Sequence, residues 1–161
     1  IGLPNAGKSS LLNALTRAKS KVGAYPFTTL EPNLGDFYGR ILADIPGLIE
    51  GASSGRGLGI KFLKHVERTG ILLHLVSVDQ DDPLAAYGEV RKEVESFGNS
   101  LSKKREIIIL SKIDLVSSAE RETKMALLAR ETDREVLSVS VEDPESLKTF
   151  SDQLTQMLSK Q

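Results

Sequence analysis

Gly2-Leu3-Pro4-Asn5-Ala6-Gly7-Lys8-Ser9 matches the pattern GxxxxGK[ST] at every fixed position, and few strings this short restrict a fold so tightly. The glycines let backbone N–H groups close around phosphate oxygens. The lysine reaches the β- and γ-phosphates, and the serine hydroxyl is a magnesium ligand. Ser9-Ser10-Leu11-Leu12-Asn13-Ala14-Leu15 then has helical spacing, so free N-terminal amides would face an anion. Such a loop joins a buried strand to a helix, yet only Ile1 precedes Gly2. The first strand is therefore expected to lie outside this sequence, within a longer protein.

Downstream, the hydrophobic spacing predicts a first helix over about 7–19 and a hairpin from Leu34–Tyr38 and Ile41–Ala43 around Gly39. Between them, Val22 to Asn33 carries two prolines, a glycine and no sustained period, and reads as a loop whose threonines, taken alone, are ordinary hydroxyls. Asp44-Ile45-Pro46-Gly47 places a carboxylate at a strand tip, suited to holding Mg²⁺ through water. It also places a glycine whose N–H can meet a γ-phosphate. Gly47, Gly51, Gly55, Gly57 and Gly59 give backbone freedom before a second helix over 58–69.

Ile71–Val76 reads as a strand, and His74 within it as a core or edge residue, not a catalyst; His65 is read as structural too. A helix from Pro83 to about Phe97 follows. The run Glu106–Leu110 is nearly continuous in β-branched residues, as expected of a central parallel strand covered on both faces. That strand delivers Ser111-Lys112-Ile113-Asp114. A carboxylate there can accept two N–H donors from the edge of guanine, and the lysine stem can lie against the ring. Further elements are expected at 120–129 (helix), 136–139 (strand) and 145–158 (helix), with Ser140-Val141 at the tip of the last strand. The alternation predicts one three-layer α/β domain over 1–161, with a mostly parallel sheet, an antiparallel edge hairpin, and phosphate and base loops at one sheet edge.

Composition narrows the chemistry. The 161 residues suit one core. With 21 basic and 22 acidic side chains, the net charge of -1 gives no strong pull toward nucleic acid or a membrane. No cysteine is present, which excludes disulfides, thiol catalysis and thiolate metal sites. No run approaches a membrane span or a secretion signal.

The strings GLPNAGKSSLLNALT, YPFTTLEPNLG, LADIPGLIEGASSGRGLG and FLKHVERT followed by ILLHLVSVD resemble the GTP-binding domain of the Obg family of ribosome-associated GTPases over almost the whole chain. The resemblance implies GTP and GDP as ligands with Mg²⁺. Pro4, Ala6, Gly7, Lys8, Ser9 and Ser10 would form the phosphate site. Phe27, Thr28 and Thr29 would belong to a first switch whose Thr29 joins Ser9 and Asp44 at magnesium, and Gly47 to a second switch. Asn5 is similar to an asparagine that helps hold a monovalent cation, K⁺, beside the phosphates. Ser111, Lys112, Asp114, Ser140 and Val141 would surround the base. The family further implies a cytoplasmic protein, large-subunit ribosome assembly or growth control, a response to ppGpp, and a glycine-rich N-terminal domain beyond these residues.

Four departures carry consequences. Ser111 stands where the family's Asn-Lys-x-Asp motif has asparagine; a serine is expected not to bridge loops as a carboxamide does, lowering guanine affinity. Val141 replaces alanine, and the hairpin around Gly39 is short. Leu48, directly after Gly47, cannot orient water where glutamine often does. Slow GTP hydrolysis by in-line attack is the implied reaction. The alternatives are a nucleotide-dependent ribosome-docking module with little hydrolysis, and an ATP-using enzyme of the same architecture.

Overall fold

The computed structural model describes residues 1–16, 21–22, 33–44, 69–96 and 99–159. In chain order they form α1 (Lys8–Thr16), β1 (Lys21–Val22), β2 (Asn33–Phe37), β3 (Arg40–Asp44), β4 (Ile71–Ser77), α2 (Pro83–Ser96), α3 (Asn99–Ser102), β5 (Arg105–Ser111), a 3₁₀ turn (Ile113–Leu115), α4 (Ser118–Thr132), β6 (Glu135–Val139) and α5 (Pro144–Ser159). Every expected element within the described residues is present, with ends moved by a few positions. Residues 58–68 of the expected second helix, and His65 with them, lie outside the described residues.

The layers follow from alternation along β5. Ile109 joins Ala6, Leu11, Leu75, Val139, Phe150 and Leu154 in one cluster, while Ile108 and Leu110 join Val76, Val78, Tyr87 and Leu128 in another. Successive side chains of a strand point to opposite faces, so an unbroken apolar run needs cover on both. Helices α1 and α5 supply one layer, α2 and α4 the other. Local signals set the ends of α4: Ser117 accepts from the Glu120 amide, and Asp133 adopts φ 53 while its amide donates to the Ala129 carbonyl.

The strands divide as expected into a parallel part and an antiparallel hairpin, and among the described residues these form two sheets. Strands β4, β5 and β6 form a parallel sheet in that order, whereas β1, β2 and β3 form a separate antiparallel one. Val22, expected at the start of a loop, pairs with Asn33. At Gly35 the two layers nearly touch, since a Cβ there would come within 2.3 Å of the Thr16 side chain.

Between the sheets lies a slot of about 210 Å³, lined by Arg40–Asp44 of β3, Ile71–Leu73 of β4, and Leu11, Leu12 and Leu15 of α1. Ile1 lines it as well. The Ile1 amine donates to the Leu73 carbonyl at 2.9 Å, the Leu75 amide donates to the Ile1 carbonyl at 2.8 Å, and Gly2 bridges Leu75 in parallel sense. These two residues therefore lie beside β4 as the last residues of a parallel strand would.

Candidate functional site

The tips of β3, β4, β5 and β6 meet the Gly2–Ser9 loop, and nearly every described candidate stands there. The loop turns through Asn5 at φ 65 and Gly7 at φ 92, the latter a conformation glycine adopts without a Cβ penalty. Nothing lies within 4 Å of a Cβ built on Gly7. Pro4, Asn5 and Ser10 are exposed, whereas Ala6 is buried. Lys8 folds back over the loop it follows, its Nζ donating to the Gly2 and Leu3 carbonyls at 2.9 and 3.0 Å. A cation is thereby held at the mouth of the loop with two of its donors directed at backbone.

Ser9 and Asp44 come from opposite sides of the slot. The Ser9 hydroxyl donates to Asp44 Oδ2 at 2.7 Å, although 35 positions separate them. The other carboxylate oxygen, Asp44 Oδ1, is buried without a partner. A buried unpaired acceptor is costly, and a hydroxyl beside a carboxylate is an oxygen-donor set suited to a hard cation that keeps most of its water. These residues therefore fit Mg²⁺.

The base loop departs from expectation in one respect. Ser111 is 5% exposed, and its hydroxyl donates to the Ala6 carbonyl at 2.7 Å. A serine does bridge the two loops, because the tip of β5 lies close enough to the phosphate loop that one hydroxyl spans the gap. Lys112 takes a left-handed conformation, φ 59 and ψ 36, that breaks the strand and starts the 3₁₀ turn carrying Asp114. The exposed Asp114 accepts from the Ser140 hydroxyl at 2.5 Å, and Ser140 Oγ accepts from the Glu142 amide at 3.2 Å. The Ser140 amide itself donates to Ser146 Oγ, while Val141 packs against the α1/α5 core cluster. The larger side chain at 141 thus goes into the core.

Phe27, Thr28, Thr29, Gly47 and Leu48 lie outside the described residues, so the structure brings together only the phosphate and base halves of the expected set. Three participants escape a reading of motifs. Ser146 is reached only through the fold, and Lys124 lies in the middle of α4. Asp79 stands just past the apolar run of β4, the one position a search of strand tips would have found. Away from these loops, His74 is fully buried as expected of a core residue. Its Nδ1 lies 2.8 Å from Glu106 Oε1, its ring stacks on Tyr87, and its Nε2 has no partner. Burial pushes the imidazole pKa down, so the neutral ring donates from Nδ1. Among the described residues no three His, Asp or Glu side chains cluster as a metal site.

Residues 1–112 match the family described as 50S ribosome-binding GTPase. The chain is 54% identical over 147 residues to GTPase Obg 2 of Anaplasma marginale (strain Florida), covering 89% of this chain and 45% of that protein. It is 48% identical over 164 residues to GTPase Obg of Anaplasma phagocytophilum (strain HZ), covering 99% and 46%. It therefore spans about half the length of the curated relatives it matches. Among solved structures, an S. thermophilus NFeoB mutant bound to GDP superimposes with a TM-score of 0.68 at 20% identity, covering 92% of this chain and 57% of that one. The G domain of the T. maritima FeoB iron transporter does so with 0.62 at 23%, covering 96% and 93%. At such identities these two speak for the fold alone, an α/β P-loop GTPase fold. With the phosphate loop, the Ser9–Asp44 pair and the base loop at one sheet edge, and with the family match running from Ile1 to Lys112, the chain belongs to the 50S ribosome-binding GTPase family.

Proposed function

We propose that this domain binds guanine nucleotide and hydrolyses GTP slowly, as a switch. The observation that carries it is the convergence of Lys8, the Ser9–Asp44 pair and the Asp114–Ser140 pair at one end of the sheet, tied by the Ser111–Ala6 bridge. Lys8 would exchange its backbone acceptors for phosphate oxygens, with the loop amides, Pro4 to Ser10, around it. Ser9 and Asp44, the latter through water, would hold Mg²⁺ together with Thr29, and the ion would supply charge neutralisation on the phosphates. Asp114 would turn from Ser140 to the guanine edge, and the Val141 amide would meet the guanine oxygen. Gly47, with Phe27, Thr28 and Thr29, would sense the γ-phosphate and release on its departure.

Leu48 offers no group to orient water, so slow turnover is part of the proposal, with acceleration left to K⁺ held near Asn5 or to a partner. The family description and the Obg-named relatives support a role on the large ribosomal subunit, in assembly or growth control, with ppGpp as a further ligand and the cytoplasm as the location. No helix among the described residues is long and apolar enough to cross a membrane. Leu48 also favours a second reading, a docking module with negligible hydrolysis. Calorimetric titration with GDP, GTP and ADP tests the whole, followed by single-turnover hydrolysis. ADP binding as tight as GDP would refute it, and GTP-dependent ribosome binding without hydrolysis would select the second reading.

The slot between β3 and β4 is proposed to take an extended apolar strand running into Ile1, parallel to both edges, which would join the two sheets. Measurement of urea stability with the chain extended by five valine- and isoleucine-rich residues before Ile1 tests this. An unchanged midpoint would refute it.

A further inference from the structure

The turn after β4 carries a carboxylate that the nucleotide chemistry above does not use. Lys112 Nζ lies 3.4 Å from Asp79 Oδ2, across the tips of two adjacent strands, and Ser77 pairs with Ser111 just below them. The pair is half-exposed, with side chains 34% and 44% accessible, so as a surface ion pair it adds little to stability. The backbone that presents Asp79, however, is held with unusual care. The Val78 amide donates to the Ser111 carbonyl at 3.0 Å, and the Gln80 amide closes a turn onto the Ser77 carbonyl at 3.2 Å. From α4, Lys124 Nζ donates to the carbonyls on either side of Asp79, Val78 at 2.7 Å and Gln80 at 3.1 Å. Glu120, one turn earlier on α4, holds that ammonium at 3.2 Å. A buried-stem lysine gripping both flanking carbonyls fixes the direction of the side chain between them.

We propose that Asp79 is a positioning residue for the base loop: it fixes the Lys112 ammonium at the β4 tip so that the lysine stem lies ready along the face of a purine, with Lys124 as the brace of its turn. Lys112 needs such a guide. Its left-handed backbone starts the turn that carries Asp114 and leaves its own long side chain, with several rotatable bonds, unconstrained by the backbone. Holding the ammonium limits that freedom before the ligand arrives, the usual route by which preorganisation raises affinity. The inference rests on reading Lys112 as a base-loop residue and predicts a distinct signature. A stem lying on a ring face does not sense exocyclic groups, so loss of Asp79 weakens every purine nucleotide alike, whereas loss of Asp114 changes the ranking among them.

The experiment is calorimetric binding of GDP and xanthosine diphosphate to the parent, Asp79→Asn, Lys112→Ala and the double variant, with thermal melting of each protein free of nucleotide. Asp79→Asn is expected to weaken both ligands about fivefold, leave their ratio and the melting temperature unchanged, and have no effect once Lys112→Ala is present. Lys124→Met is expected to reproduce part of the loss. Parental affinity in Asp79→Asn, or an equal loss in both backgrounds, would overturn the inference while leaving Lys112 in the base site. Parental affinity in Lys112→Ala would overturn the base-loop assignment, and the inference with it.

Discussion

Ser111→Ala tests the joint between the two halves of the site. The substitution removes one oxygen and, with it, the 2.7 Å bond to the Ala6 carbonyl; the second contact, to the Val76 carbonyl at 3.4 Å, is too long to matter. Both residues are buried, Ser111 at 5% and Ala6 at 3% exposure, so water does not replace the lost donor. A net hydrogen bond contributes about 1 kcal/mol, and an acceptor left unpaired inside the protein adds about 1 kcal/mol or more, giving roughly 1–3 kcal/mol in all. Because the bridge exists without nucleotide, most of that loss is expected in urea unfolding of the nucleotide-free domain. The remainder falls on GDP affinity, about three- to tenfold, since the phosphate loop is no longer held against β5. Ser111→Asn bears on the same point from the other side. On sequence grounds, restoring asparagine should tighten binding by about 1 kcal/mol, one regained hydrogen bond. The hydroxyl already makes that bond, and a carboxamide must fit two more heavy atoms into a buried position, so no gain is expected. Parental stability and affinity in Ser111→Ala, or clearly tighter GDP binding by Ser111→Asn, would refute the bridge.

Lys8→Ala and Ser9→Ala are each expected to weaken Mg²⁺-GTP by about 1.5–3 kcal/mol with the fold intact, read by titration with a fluorescent GTP analogue beside circular dichroism. Single-turnover GTP hydrolysis is expected to run faster in potassium than in sodium at matched ionic strength if Asn5 holds the cation; equal rates remove K⁺ from the mechanism. Asp114→Asn is expected to reverse the preference between guanosine and xanthosine diphosphates, and an untouched ranking would show that Asp114 does not read the base. Stability is expected to rise with pH up to about 6.5, in two windows. His74, its pKa lowered by burial, adds a loss below 6.5. Glu106 is desolvated, but His74, Arg91 and Arg134 outweigh that and lower its pKa, so it adds a loss below 4.5. Urea midpoints measured from pH 4 to 9 check the order.

Local chemistry decided how far the sequence could be read. The phosphate loop was legible from its motif alone, and the Asp44 tip and the Lys112-x-Asp114 loop because each sits where an apolar strand run ends. The central place of β5 was legible for a related reason, its apolar residues serving both faces. The Ser9–Asp44 bond could be anticipated only as a shared ligand; that one carboxylate oxygen is left buried and unpaired depends on how β3 meets α1 across the slot. Likewise the sequence at Ser111 shows only what its side chain lacks relative to asparagine. Whether a hydroxyl suffices depends on the distance from the β5 tip to Ala6, a tertiary quantity that no spacing along the chain encodes.

The same limit hid the buried charge at the far end of the sheet. Glu106 opens a run of apolar residues and, by composition, should face solvent. It is instead 2% exposed, with His74 at 2.8 Å and Tyr87 and Arg91 each at 3.2 Å. Three donors from β4 and α2 on one carboxylate make burial tolerable, and removing any one of them leaves the charge underpaired, which destabilises far more than the intact cluster stabilises. The position of α2 on the sheet is thereby tied to a polar contact as well as to Val90 and Val94. That helix begins directly after the turn bearing Asp79, so the Glu106 cluster and the Lys124 clamp fix the two ends of one segment. A shift of α2 would have to break a buried carboxylate's hydrogen bonds before it could move the turn that carries Asp79.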